Sequence, residues 1–238
     1  MEKIITTENA ELFAHTNAEL FDARTARAVA VCFHGLNNTN FIKDHSEPEF
    51  FYAKRGILYV FPYYDPWGWM NRECVDLTDE IVEVLKEKYG LPGDIPVAST
   101  GGSMGGMACI VYAAFSRQNI RVCAANSPVC DFPYHYTERP DLPRTIYHAL
   151  RGYGGSLDEA MKTISPIHIA EKLPDIPYYF VHGDADTAVG KAMHSDRMVA
   201  RLREIGRSVV YDEVAGMLHT KLDFEHAAKY YSFIAGNV

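Results

Sequence analysis

Ser103 lies in the stretch "PVASTGGSMGGMACIVYAA", Pro96 to Ala114, where an apolar run stops, a few small residues surround one serine, and a second apolar run begins. Gly101-Gly102-Ser103-Met104-Gly105 fits the pattern G-x-S-x-G. Set between a strand and a helix, that pattern makes a sharp, strained turn that lifts a hydroxyl out as a nucleophile, and the positions two residues away must be free of bulky side chains. A phosphate-binding loop would need a lysine beside the serine, and none is there. The simplest rival is a glycine-rich turn with an incidental serine.

A serine becomes a useful nucleophile when an imidazole removes its proton and a carboxylate orients that imidazole. At this kind of turn the partners follow the serine in the order acid, then histidine. The stretch "VHGDADTAV" offers Asp186, with Asp184 as its rival. Asp186 is favoured, because a residue directly after the His-Gly turn tends to point away or cap the loop. Among ten histidines, His219 in "YDEVAGMLHTK" has the required order and loop position. His182, by contrast, ends a strand and is expected to bond backbone. A developing oxyanion needs two N–H donors, each worth about 3 kcal/mol in the transition state. Met104, at the start of the helix, supplies one. Leu36 in "CFHGLNNTNF" is assigned the other, with Asn37 as second choice. The expected chemistry is acyl transfer through an acyl-enzyme that water then cleaves.

These residues need a frame of alternating strands and helices. Short apolar runs at Ala28–Phe33, Gly56–Phe61, Ile95–Thr100, Arg121–Asn126, Tyr178–His182 and Ser208–Glu213 read as strands. Helical spacing runs over Val75–Tyr89, Met104–Ser116, His194–Ile205 and Asp223–Ala235. Such alternation implies a mostly parallel sheet with helices on both faces, an α/β fold. Lys3–Arg27 has room for one or two edge strands. Ser127–Lys172, rich in Pro, Tyr, His and Gly, shows only fragments of helix.

The chain has 238 residues, 47% of them hydrophobic and 23% charged, enough for one sizeable core. Its formal charge of -8 and the absence of a dense basic run exclude a nucleic-acid partner. The longest apolar run, Met107 to Phe115, is too short to cross a bilayer, so no membrane partner is expected. The N-terminus lacks the apolar stretch of a signal peptide. Five cysteines without a CxxC pair point to a reducing, cytoplasmic setting. The histidines and acids show no ligand spacing such as H-E-x-x-H, so neither metal nor other cofactor is expected.

Taken together, "HGLNN" after one strand, "GGSMGG" at the turn, "HGDADTAV" after a later strand and "GMLH" before the last helix resemble the α/β-hydrolase superfamily, and within it the esterases and prolyl-oligopeptidase-like serine hydrolases. The resemblance implies a single domain over 1–238, with a small cap inserted at about 131–172. Aromatic side chains of the cap, Phe132, Tyr134, His135, Tyr136, Tyr147 and Tyr153, would line an acyl or sugar pocket together with Trp67 and Trp69 of "YYDPWGWMN", with Asn37 beside them. The expected activity is a carboxylesterase cleaving small esters, acetyl or feruloyl esters of carbohydrates among them. The alternative is a small aminopeptidase or acyl-peptide hydrolase, and a non-catalytic binding relative is the third reading. A large oligopeptidase is not expected, since the chain has no room for a β-propeller.

Overall fold

The structure, a computed structural model, describes residues 4–238; Met1–Lys3, the start of the ambiguous N-terminal segment among them, lie outside the described residues. Seven strands form one sheet: β1 (Ala14–Thr16), β2 (Ala28–Phe33), β3 (Ile57–Pro62), β4 (Val97–Gly102), β5 (Ile120–Asn126), β6 (Tyr178–Gly183) and β7 (Val209–Val214). Their order across the sheet is β1-β3-β2-β4-β5-β6-β7. Only β1, the single edge strand of the early segment, runs antiparallel to its neighbour; all other pairs are parallel.

The helices are α1 (Glu47–Ala53), α2 (Arg72–Tyr89), α3 (Met104–Phe115), α4 (Phe132–Glu138), α5 (Leu142–Leu150), α6 (Leu157–Lys162), α7 (Ser195–Glu204) and α8 (Phe224–Gly236). Side-chain alternation along the strands divides the core. Val29, Val31 and Phe33 pack with α2, α3 and α7 on one face, while Ala28, Ala30 and Tyr59 pack with α1 and α8 on the other. The helix α1 has no long apolar period to announce it. Its start is a capping arrangement, in which the Ser46 N–H donates to the Glu49 carboxylate at 2.8 Å. Between β5 and β6, the helices α4, α5 and α6 occupy the segment whose composition looked irregular.

Parallel strands end together at one edge of the sheet, and loops from different strands meet there. Phe33 pairs with Gly101, Gly102 with Asn126, and Gly183 with Val214. The loops carrying Leu36, Ser103, Asp186 and His219 therefore start at one level. Strand order reverses between β2 and β4, which opens a crevice at their carboxyl ends.

Candidate active site

The turn from β4 into α3 holds Ser103 at φ 60°, ψ -124°. An L-residue is strained there, so the surroundings must enforce the conformation. The neighbouring glycines explain how the turn fits. A Cβ on Gly105 would lie 2.1 Å from the Phe33 carbonyl oxygen, and one on Gly101 would lie 2.4 Å from the Gly105 oxygen. The turn is pressed against the end of β2, and any side chain at either position would push it away.

His219 Nε2 lies 2.8 Å from Ser103 Oγ, and its Nδ1 lies 2.7 Å from Asp186 Oδ2. A carboxylate only accepts, so Nδ1 carries the proton and Nε2 presents its lone pair to the serine hydroxyl. The Asp186 carboxylate is fully buried. Its other oxygen accepts the N–H groups of Ala188 (2.8 Å) and Val189 (3.0 Å). Burial alone would raise its pKa, but hydrogen bonds from His182, His219 and the Val189 N–H outweigh this and hold the carboxyl far below the usual carboxylate range. Asp184 is exposed and spends its carboxylate on the Gly216 N–H, 2.6 Å away, as a loop-capping residue would.

His182 has a larger part here than its strand-end position suggests. Its Nε2–H is shared between Asp186 Oδ2 (3.1 Å) and the Val189 carbonyl (3.0 Å), while Nδ1 accepts from the Ser195 hydroxyl at 2.6 Å. The buried ring braces Asp186 from the side opposite His219. The loop that carries His219 is itself pinned to the sheet edge. Asn126 donates to the Thr220 carbonyl, and a Cβ on Gly183 would lie 1.9 Å from the Met217 oxygen.

The N–H groups of Leu36 and Met104 have no protein acceptor among the described residues. The Asn37 amide is already given to the Pro66 carbonyl at 3.2 Å, which removes the second choice for an oxyanion donor. Asn37 Oδ1 accepts from Trp67 Nε1 at 2.5 Å, so these two residues engage each other at the cavity's rim.

A cavity of about 530 Å³ opens beside Ser103 and His219, walled by Phe61, Trp69, Val189 and, from α4, α5 and the turn between them, His135, Arg139 and Leu142. The Trp69 ring is fully buried in this wall, with Nε1–H on Thr145 Oγ1 at 3.0 Å. Of the expected aromatics, Trp67, Phe132, Tyr134, Tyr136, Tyr147 and Tyr153 do not line it. Trp67 is held at its edge by Asn37 and the Arg144 guanidinium. Because α4 is a helix, Phe132 and His135 share its buried face, which directs Tyr134 outward against His194 and sets Tyr136 against the core. His135, expected among the pocket aromatics, does line the cavity, whereas an irregular reading of this segment hides the helical spacing and with it Arg139.

His135 belongs to a buried relay. Glu138 Oε2 accepts from His135 Nδ1 (2.5 Å) and from His194 Nε2 (2.9 Å). His194 Nδ1 in turn accepts the backbone N–H groups of Cys130 (3.0 Å) and Asp131 (3.1 Å). Every proton is thereby assigned, and the His135 Nε2 lone pair is left without a protein donor among the described residues, beside the cavity. Burial lowers the His135 pKa and keeps the ring neutral. Burial pushes Glu138 up, but the two imidazole hydrogen bonds bring its carboxyl down to about 2.

No curated protein matches the chain. Among solved structures, it is similar to the acylaminoacyl peptidase of Pyrococcus horikoshii (TM-score 0.71, 16% identity, 89% of this chain and 36% of that one). A puromycin-hydrolyzing peptidase of Mycobacterium tuberculosis is similar at TM-score 0.66 and 16% identity, over 88% of this chain and 33% of that one. Esterase B of Lactobacillus rhamnosis matches at TM-score 0.65 and 12% identity, over 89% and 77%. The chain spans about a third of the length of these peptidases. At such identities the likeness is one of fold, and it is that of the α/β-hydrolases. No described helix is long and apolar enough to cross a membrane. The sequence model of the prolyl oligopeptidase family matches residues 69–235, which contain Ser103, Asp186 and His219, and the chain belongs to that family of serine hydrolases.

Proposed function

We infer that the chain is a carboxylic ester hydrolase working through Ser103, His219 and Asp186. The observation that carries this reading is the unbroken run of hydrogen bonds from Asp186 through His219 to Ser103, at 2.7 and 2.8 Å. Ser103 Oγ attacks the ester carbonyl carbon as His219 Nε2 takes its proton. The oxyanion is held by the N–H groups of Leu36 and Met104, each worth about 10²–10³ in rate. His219 returns the proton to the departing alcohol, leaving an acyl-serine. Water, deprotonated by the same nitrogen, then releases the carboxylic acid. Asp186 keeps the tautomer and stabilises the imidazolium.

The cavity supports esters over free-amine peptides. Its lining carries one permanently charged side chain, Arg139, and among the described residues no carboxylate to meet an α-ammonium group. Its aromatic wall of Phe61 and Trp69, with the His135 acceptor, suits a short acyl or phenolic acyl group; acetyl and feruloyl esters of carbohydrates fit this description. The peptidase reading rests on family membership and the peptidase neighbours, and it is separable by experiment. A panel of p-nitrophenyl acetate, a feruloyl ester, an N-acyl-aminoacyl anilide and a free-amine aminoacyl anilide should be cleaved in that preference, esters first. A fluorophosphonate should label the wild type and leave Ser103→Ala unlabelled. Faster turnover of the free-amine anilide would replace the esterase reading with an aminopeptidase. An unlabelled wild type that is folded would make the chain a binding protein.

A further inference from the structure

At the opposite end of the sheet from the β6 and β7 loops, three side chains from separate elements converge. His15 is on the edge strand β1, His45 lies in the loop before α1, and Glu49 is in the first turn of α1. His15 Nε2 and His45 Nδ1 both lie against one oxygen, Glu49 Oε1, at 2.6 and 2.7 Å. All three potential donor atoms are within 4.8 Å of one another.

The support behind these atoms resembles that of a metal centre. The Glu49 side chain is 1% exposed, and its second oxygen is fixed by the N–H and hydroxyl of Ser46, which leaves Oε1 to the rings. Fully buried Asn17 donates to the Glu49 carbonyl and accepts from the Tyr59 N–H, tying α1 to β3. His45 Nε2 meets Glu19 Oε1 at 2.6 Å. A carboxylate behind the outer nitrogen of a ligating histidine fixes its ring and tautomer and raises its basicity. His45 can therefore coordinate through Nδ1 while keeping Nε2–H on Glu19. His15 Nδ1 has no protein partner among the described residues, so it is free to carry the proton when Nε2 coordinates. A cavity of about 480 Å³, lined by His15, Glu19 and His45, gives access and room for a water as fourth ligand.

We propose that His15 Nε2, His45 Nδ1 and Glu49 Oε1 form a binding site for a first-row divalent cation of the zinc class. Two imidazoles and a carboxylate with one open position is an established zinc donor set. Zn–N and Zn–O bonds of about 2.0–2.2 Å place tetrahedral donors roughly 3.3–3.5 Å apart, so each of the two hydrogen-bonded separations opens by less than about 1 Å. The site lies upstream of the family-matched segment. It would clamp β1 and α1 together at the far end of the loop that carries Leu36, a structural role separate from Ser103.

Chelator-washed full-length protein titrated calorimetrically with Zn²⁺ should take up one equivalent, and Co²⁺ in its place should give the intense visible bands of a tetrahedral site. His15→Gln and His45→Gln should abolish that uptake. Glu19→Gln, whose native side chain is 79% exposed, should weaken it about 10- to 100-fold without disturbing the fold. Zinc should also raise the melting temperature of the wild type and not of His45→Gln. Absence of zinc uptake by the folded wild type overturns the proposal, as does uptake that Glu19→Gln and the histidine variants leave unchanged. If a histidine variant fails to fold, Glu19→Gln still reads the site.

Discussion

Among the described residues, two groups of two histidines and one glutamate look equivalent as compositions: His135, Glu138 and His194 beside the cavity at Ser103, and His15, His45 and Glu49 at the sheet's edge. In both, the imidazoles converge on a single carboxylate oxygen. What faces the outer nitrogens separates them. His194 Nδ1 accepts two backbone N–H groups, so the ring's only proton is on Nε2, and coordination there would require an imidazolate. His45 instead turns its outer nitrogen to Glu19, an acceptor, which is the arrangement a ligating imidazole needs. Donors behind the ring make a rigid hydrogen-bond relay, and acceptors behind it make a ligand.

The largest expected effect tests whether the two regions act independently. Asp186→Asn should lower kcat about 10⁴-fold by admitting the wrong His219 tautomer, while the zinc isotherm at the edge stays as in the wild type. A coupled loss of zinc uptake in a folded variant would break the separation. Next comes the relay's contact with the cavity. His135→Leu removes the unclaimed lone pair and should raise KM for a feruloyl ester by about fivefold, the worth of a neutral hydrogen bond of about 1 kcal/mol, with p-nitrophenyl acetate little affected. Equal effects on both substrates would mean that the ring serves only packing.

Glu138→Gln should cost about 1–3 kcal/mol of stability in chemical denaturation, since a buried imidazole N–H loses its charged acceptor. The pH dependence follows from the carboxyl's descent from 4.5 to about 2. A group with a lowered folded-state pKa stabilises the fold above its unfolded value and loses that contribution as pH falls through the folded one. Wild-type stability should thus decline more steeply than that of Glu138→Gln between about pH 4.5 and pH 2; parallel curves would show that the relay does not hold the glutamate ionised. Asp184→Asn, which touches only the Gly216 turn, is expected to change kcat by less than about threefold. A loss comparable to that of Asp186→Asn would transfer the triad role.

That Ser103, Asp186 and His219 would meet was legible because each is announced by its own stretch of chain. The glycines that a kinked turn requires surround the serine, and the other two follow apolar strand runs whose ends must meet at one edge of a parallel sheet. The Leu36 position was legible for the same reason. The sequence already put Leu36 ahead of Asn37; what it did not carry is the reason the structure adds, that the Asn37 amide finds its acceptor in a different loop, at the Pro66 carbonyl. The backbone bond expected of the strand-end His182 is present, to the Val189 carbonyl, but its contact with Asp186 was not legible, since that depends on how the following loop folds back.

Alternation of apolar runs, the strained turn and the order of serine, acid and histidine along the chain are local properties, and sequence by itself determined them: period and side-chain size act over a few neighbouring residues. The walls of the cavity, the relay at Glu138 and the cluster at Glu49 were decided only by tertiary structure. Their chemistry depends on which hydrogen-bonding group stands behind each ring, and that group comes from an element far away in the chain.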